Sequence, residues 1–115
     1  LMRIPVLMYH SISNSKNPLS VSINSFDKQM RFMNKNAFKT TSLHNIENIK
    51  SGKFFIITFD DGYEDVFLNA LPILKKYNFT ATCFFVSNLI GKYNVWDEDK
   101  ENFIKLNLMN NSQIS

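Results

Sequence analysis

The chain is poor in the residues that would tie it together covalently or set up a self-sufficient metal cluster. Cys83 is its only cysteine, so no intrachain disulfide can form and pairing says nothing about redox compartment. That cysteine lies in an apolar stretch, where a thiol is buried and inert rather than nucleophilic. There are two histidines, His10 and His44, too far apart to share one helix face and placed on different expected elements. No apolar run approaches the length of a membrane-crossing helix, and the segment Ile4 to Tyr9 is too short, and too close to Pro5, for a signal peptide. A net charge of +3 comes from scattered lysines such as Lys16, Lys28, Lys35, Lys39 and Lys53. Without a continuous basic stripe they read as a solvated surface, which argues against a nucleic-acid partner. Internal repeats, low-complexity tracts and interdomain linkers are missing too.

What is present suits a globular α/β segment. At 115 residues, 44% hydrophobic and 20% charged, the chain is one domain at most and lies outside the disordered class. Eleven phenylalanines supply core material. Ile4 to Tyr9 is expected as a first strand and Asn14 to Ser20 as a loop. A helix is expected from a Ser25 N-cap through about Asn36, with Phe26, Met30, Phe32 and Met33 as its apolar positions. Phe38 to Leu43 reads as a short strand and His44 to Lys50 as a short helix before the Ser51-Gly52 break.

The densest information lies in Phe54-Phe55-Ile56-Ile57-Thr58-Phe59-Asp60-Asp61-Gly62. Apolar β-branched and aromatic residues without polar alternation describe a strand covered on both faces. Successive strand side chains point to opposite faces, so two adjacent carboxylates converge only if the chain turns there, and Gly62 makes that turn inexpensive. Both acids would then sit beyond the strand's carboxyl end, where parallel α/β folds place their chemistry. Two carboxylates this close repel, so one must meet a cation or take up a proton. The plainer alternative is a polar turn in which one Asp caps the next helix. Val66, Leu68, Ala70, Leu71, Ile73, Leu74 and Tyr77 then recur at helical spacing, Asn78 is a stop, and Thr80 to Val86 is a second strand. Phe54 to Val86 is thus a βαβ unit with the acids at its first turn. Beyond it, Ser87 to Asp97 reads as a loop and Glu98 to Met109 as a final helix.

Thr58-Phe59-Asp60-Asp61-Gly62, a helix, and Ala81-Thr82-Cys83-Phe84-Phe85-Val86 together resemble the first motif block of the polysaccharide deacetylases, carbohydrate esterase family four. Pro5-Val6-Leu7-Met8-Tyr9-His10 resembles the first strand of members that act on surface polysaccharides. The likeness runs from about Ile4 to the region of Trp96. It implies an α/β fold forming part of a distorted (β/α) barrel, and metal-dependent removal of an N-acetyl group from an amino-sugar polymer or oligomer. By the same resemblance Asp60 is the general base and Asp61 a ligand to a divalent metal, zinc first, with cobalt or nickel also fitting such a site. In that chemistry the cation polarises the acetyl carbonyl and acidifies a water while the carboxylate removes its proton.

The family's second motif, a His-x-x-x-His pair that completes the metal site, is not matched, nor are the later motifs that bring an arginine, aromatic residues and a histidine acid. Asn110 to Ser115 resembles the segment leading into the second motif, and the chain starts with Leu1 rather than Met. The expectation is therefore that residues 1–115 are the N-terminal part of one deacetylase domain, stopping short of its histidines. A separately encoded C-terminal half is then a possible partner, and a non-catalytic remnant is the rival account. Members usually act outside the cytoplasmic membrane, although no signal peptide is visible here.

Single residues carry two readings each. His10 ends the first strand on the same side as the acids and contacts substrate or the site water, or is a structural histidine. Tyr63 lines the sugar groove or packs over the turn. Trp96 stacks on a sugar face or anchors its loop, the second being preferred. His44 reads as a surface or cap residue. Two other enzyme classes fit less well. A haloacid-dehalogenase phosphatase needs Asp-x-Asp-Gly-Thr, and a retaining glycosidase needs carboxylates farther apart than neighbours on one turn.

Overall fold

The computed structural model describes residues 3–114. Its strands are β1 (Val6–Tyr9), β2 (Ser11–Ile12), β3 (Ser20–Val21), β4 (Lys39–Thr40), β5 (Phe54–Phe59) and β6 (Thr82–Cys83). Strand β5 is the axis of the sheet. One edge pairs in parallel with β1, Val6 opposite Ile56 through Tyr9 opposite Phe59. Its other edge meets β4 at the start, Lys39 opposite Phe54, and β6 at the end, Phe59 opposite Cys83, both again parallel. That double edge follows from backbone alternation: Ile56 and Asp60 donate toward β1, whereas the Phe55 and Phe59 carbonyls accept from Thr41 and Phe84. A small parallel pair, β2 with β3, stands apart.

Burial explains the chosen sequence of β5. Phe55, Ile56, Ile57 and Phe59 are all essentially inaccessible to solvent. Phe55, Ile57 and Phe59 join Tyr9, Phe26, Met30 and Met33 in one core cluster beneath the helices. Tyr9 stands edge-on to Phe26 at 5.0 Å and stacks near Phe59 at 5.7 Å. Its hydroxyl donates to Gln29 Oε1 at 2.6 Å, and burial pushes its pKa up to about 12. Aromatic pairs in these geometries add roughly 0.5–1.5 kcal/mol beyond the area they bury. On β1, Leu7 and Tyr9 face this core while Val6 and Met8 on the opposite face are 54% and 63% exposed. Among the described residues β1 and β6 pair only with β5, so the sheet has open edges.

Helix α1 (Ile23–Lys35) starts earlier than the serine pattern predicted. Ser22 is the N-cap, with extended backbone, and its hydroxyl accepts from the Ser25 N–H, so Ser25 is inside the first turn as the donor. The segment after the acids is helical as expected but not uniformly α. Val66–Ala70 is a π-helical turn in which the Leu71 N–H reaches the Val66 carbonyl, and α2 (Leu71–Lys76) follows. Pro72 accounts for the widening: it has no N–H to give the Leu68 carbonyl, and its ring would collide with that oxygen in a regular α turn. Asp27 of α1 receives Lys76 Nζ at 2.7 Å and the Tyr77 hydroxyl at 3.0 Å, which ties α1 to the end of α2. The Lys76 hydrogen bond leads in holding the Asp27 carboxyl below its usual range.

Other expectations shrink or fail. The strand expected over Phe38 to Leu43 is only Lys39–Thr40, that expected over Thr80 to Val86 only Thr82–Cys83, and the short helix near His44 is a 3-10 helix, Leu43–Asn48, with no buried residue. No helix forms over Glu98 to Met109. Asn94, wholly buried, explains why: its amide nitrogen donates to the Ile104 carbonyl and its oxygen accepts the Leu106 N–H, pinning that stretch in extended form. Asn102, at φ 61°, also leaves the helical region. The stretch instead makes antiparallel bridges, Asn107 with Tyr93 and Leu108 with Tyr63. A four-residue helix α3, Asn111–Ile114, ends the described chain. Among the described residues no helix is long and apolar enough to cross a membrane.

Candidate active site

Beyond Phe59 the ladder continues for one bond, from the Asp60 N–H to the Tyr9 carbonyl at 2.9 Å. Then the chain turns through two consecutive left-handed residues, Asp61 at φ 74° and Gly62 at φ 66°. Aspartate tolerates that region better than most L-residues, and glycine has no Cβ to object. Strand alternation stops here, so both acids stay near the carboxyl end of β5. The turn is clamped from below, because the Met109 N–H donates to the Gly62 carbonyl at 2.8 Å and the Glu64 N–H donates to the Asn107 carbonyl at 2.9 Å.

His10 reaches the same place from β1. Because β1 and β5 are parallel and in register, the residue after Tyr9 sits beside the residue after Phe59. His10 Nε2 lies 3.8 Å from Asp60 Oδ2, with the two side chains 28% and 33% exposed, so both are open to a ligand from solvent. Asp61 differs. Burial raises its carboxyl pKa, His10 opposes that rise, and the neighbouring Asp60 and Asp97 charges add to it. A carboxyl raised on folding contributes stability that is full below its unfolded value, near 4, and is lost as pH climbs through the folded value. Asp61→Asn keeps a residue that accepts positive φ and removes the repelled charge. It is expected to raise stability at pH 7, with no gain at pH 3, as read from urea midpoints at both pH values.

Tyr63 is enclosed. It is 0% exposed, its ring centroid is 6.1 Å from that of Trp96, and its hydroxyl has no hydrogen-bond partner among the described residues. Burial, followed by the Asp61, Asp97 and Asp65 charges, drives its pKa strongly upward, which keeps it a neutral phenol. In this conformation the ring packs over the turn and does not line an open groove. Trp96, 37% exposed, covers it as a loop anchor. His44 is exposed, on the 3-10 helix Leu43–Asn48, and the partly buried Cys83 thiol is pushed up by burial and stays protonated.

Sequence reasoning passed over Asp65. Its Oδ2 accepts from Ser11 Oγ at 2.5 Å and its Oδ1 from the Ile12 N–H at 2.9 Å. The only sequence signal was its place one helical turn after Asp61, and nothing local announces Ser11 as its partner. Among the described residues no three His, Cys, Asp or Glu converge as a metal would require. Asp60, Asp61 and His10 therefore do not fit a complete metal centre by themselves.

A model of the polysaccharide deacetylase family matches residues 47–108, which hold the β5 strand, the acid turn and β6. The chain is 41% identical over 103 residues to YxkH of Bacillus subtilis, assigned by its name to the polysaccharide deacetylases, covering 84% of this chain and 37% of that protein. It is 33% identical over 98 residues to a poly-beta-1,6-N-acetyl-D-glucosamine N-deacetylase of Staphylococcus aureus, covering 81% of this chain and 34% of that one. A solved polysaccharide deacetylase from Bacillus cereus superposes with a TM-score of 0.76 at 27% identity, over 98% of this chain and 34% of its own. The chain thus spans about a third of the length of the curated relatives it matches.

Proposed function

Because the chain belongs to the polysaccharide deacetylase family, we propose that it forms the N-terminal portion of a metal-dependent deacetylase domain acting on an acetylated amino-sugar polymer or oligomer. The observation that carries this reading is the pairing of Asp60 and Asp61 on a left-handed turn beyond β5, with His10 brought alongside by β1. Asp60, a third exposed and 3.8 Å from His10, is the base, and His10 beside it contacts the substrate or the water it activates. Asp61 supplies one ligand to a divalent metal, zinc foremost, and the other ligands come from outside these 115 residues. Tyr63, enclosed with Trp96 over the turn, supports the turn and does not touch the substrate. The four parallel strands make an arc of a distorted barrel, a reading supported by the open edges of β1 and β6 and by the exposed Val6 and Met8.

Alone, the chain is expected to be inactive and to hold metal weakly, since a single carboxylate leaves the ion mostly to water. The absence of a three-ligand cluster among the described residues favours a second reading beside the first, a non-catalytic remnant or one half of a two-chain assembly.

The test starts at the locus, read beyond the Ser115 codon in three frames for His-Ser/Thr-x-x-His. The polypeptide found is co-produced with this chain and assayed with zinc for free-amine release from β-1,6-linked N-acetylglucosamine oligomers. Release that needs both parts and stops with chelator supports the deacetylase. Finding no such segment leaves the remnant, and release by this chain alone overturns the shared site.

A further inference from the structure

We infer that Asp65 is a positioning residue whose carboxylate fixes the bend between β1 and β2 so that His10 faces Asp60. The backbone on either side of His10 is bonded to the segment that carries the acids. Before it, the Tyr9 carbonyl accepts the Asp60 N–H at 2.9 Å. After it, Ser11 Oγ and the Ile12 N–H both donate to Asp65, at 2.5 and 2.9 Å. Asn69, one turn along the same helical segment, donates Nδ2 to the Ile12 carbonyl at 2.8 Å. Ser11 and Ile12 are both wholly buried, so water cannot readily replace these bonds.

A row of hydroxyls ends on the same carboxylate. Ser15 Oγ lies 2.8 Å from Ser20 Oγ, which lies 2.8 Å from Ser11 Oγ. With the acceptor at one end, each hydroxyl can donate toward it, which strengthens the next bond in the chain. Burial raises the Asp65 carboxyl despite its two donors, so the group is held there at some energetic cost. His10 is left with little freedom beyond its own side-chain torsions. The inference deepens the deacetylase reading, because fixing His10 matters to turnover only if His10 and Asp60 serve one substrate.

The experiment is nuclear magnetic resonance on the whole labelled chain, wild type beside Asp65→Ala and Asp65→Asn. Two signals are read: the Overhauser contact between the His10 ring and the Asp60 β protons, and hydrogen exchange of the Ile12 amide. Exchange of the Ile56 amide, bonded to the Pro5 carbonyl, reports on whether the sheet is intact. Asp65→Ala is expected to lose the His10 contact and speed Ile12 exchange at least about tenfold while Ile56 stays protected. Asp65→Asn should keep both signals, since its oxygen can accept from Ile12 and its amide can donate to Ser11 Oγ. An unchanged His10 contact in Asp65→Ala, or none in the wild type, overturns the assignment. If Asp65→Ala does not fold, Ser11→Ala, which deletes one bond, is read the same way: a weakened contact supports the assignment and an unchanged one sinks it. No substrate is involved, so failure here leaves the deacetylase reading standing, and a failed amine assay leaves the clamp standing.

Discussion

Gly62→Ala is expected to destabilise the chain by about 2–4 kcal/mol, the sum of a left-handed penalty of roughly 1–2 kcal/mol and a steric penalty of similar size. The first part follows from φ +66°, where any Cβ crowds its own backbone. The second follows from position: an added Cβ would lie 2.4 Å from Phe85 Cδ1 and 2.9 Å from Cε1. How far the ring yields sets the size of this part: Phe85 is partly buried, packed against the main core on one side and bordering an open cavity on the other. Nor can the turn redistribute strain to its neighbour, since Asp61 is already at φ 74°. Against a typical total of about 5–15 kcal/mol, such a loss brings a chain with open sheet edges close to unfolding. Urea denaturation of Gly62→Ala, Phe85→Ala and the double variant separates the parts. The double variant should recover the steric share and keep the left-handed share. A loss below about 1 kcal/mol in Gly62→Ala would mean that the ring swings aside and that the turn is not the rigid support described above.

The same turn shows what a sequence can and cannot disclose. Strand β5 was legible because a run of apolar residues ending in Asp-Asp-Gly has one economical arrangement, burial followed by a turn at the carboxyl end of a central strand. The approach of His10 to Asp60 was legible too, since parallel strands that end together present their next residues together. Elements decided by long-range polar contacts were not. The helix expected over Glu98 to Met109 loses to the buried Asn94 side chain, which captures Ile104 and Leu106 from ten and twelve residues away. The N-cap moved from Ser25 to Ser22 because either serine can cap and only the path of the preceding β3 strand chooses between them. Asp65 stayed silent for the same reason, its partners lying more than fifty residues upstream. The π turn before Pro72 is a middle case: the proline announces a disturbance without saying which form it takes.

In the completed deacetylase, Asp60→Asn should leave metal affinity unchanged and cut turnover by about 10²–10⁴, the range a positioned proton acceptor supplies. Asp60 is suited to that separation. Its backbone bond to the Tyr9 carbonyl does not involve the side chain, and its carboxylate faces His10 and solvent. Asparagine therefore removes the base without disturbing the ladder. Asp61→Ala should abolish both metal binding and turnover, but alanine also sits badly at φ 74°, so loss of fold would imitate loss of ligand. Asp61→Asn resolves the two, because asparagine accepts the positive φ and, without metal, the variant is expected to be more stable than the wild type at pH 7. If the completed domain carrying Asp61→Asn fails to take up zinc in calorimetry while the same domain carrying Asp60→Asn takes it up normally, the two acids divide the work as proposed. Amine release retained by either Asp60→Asn or Asp61→Ala would overturn that division. The opposing signs expected for Asp61→Asn, a gain in stability with a loss of metal, are what a functional charge held against its neighbours should produce.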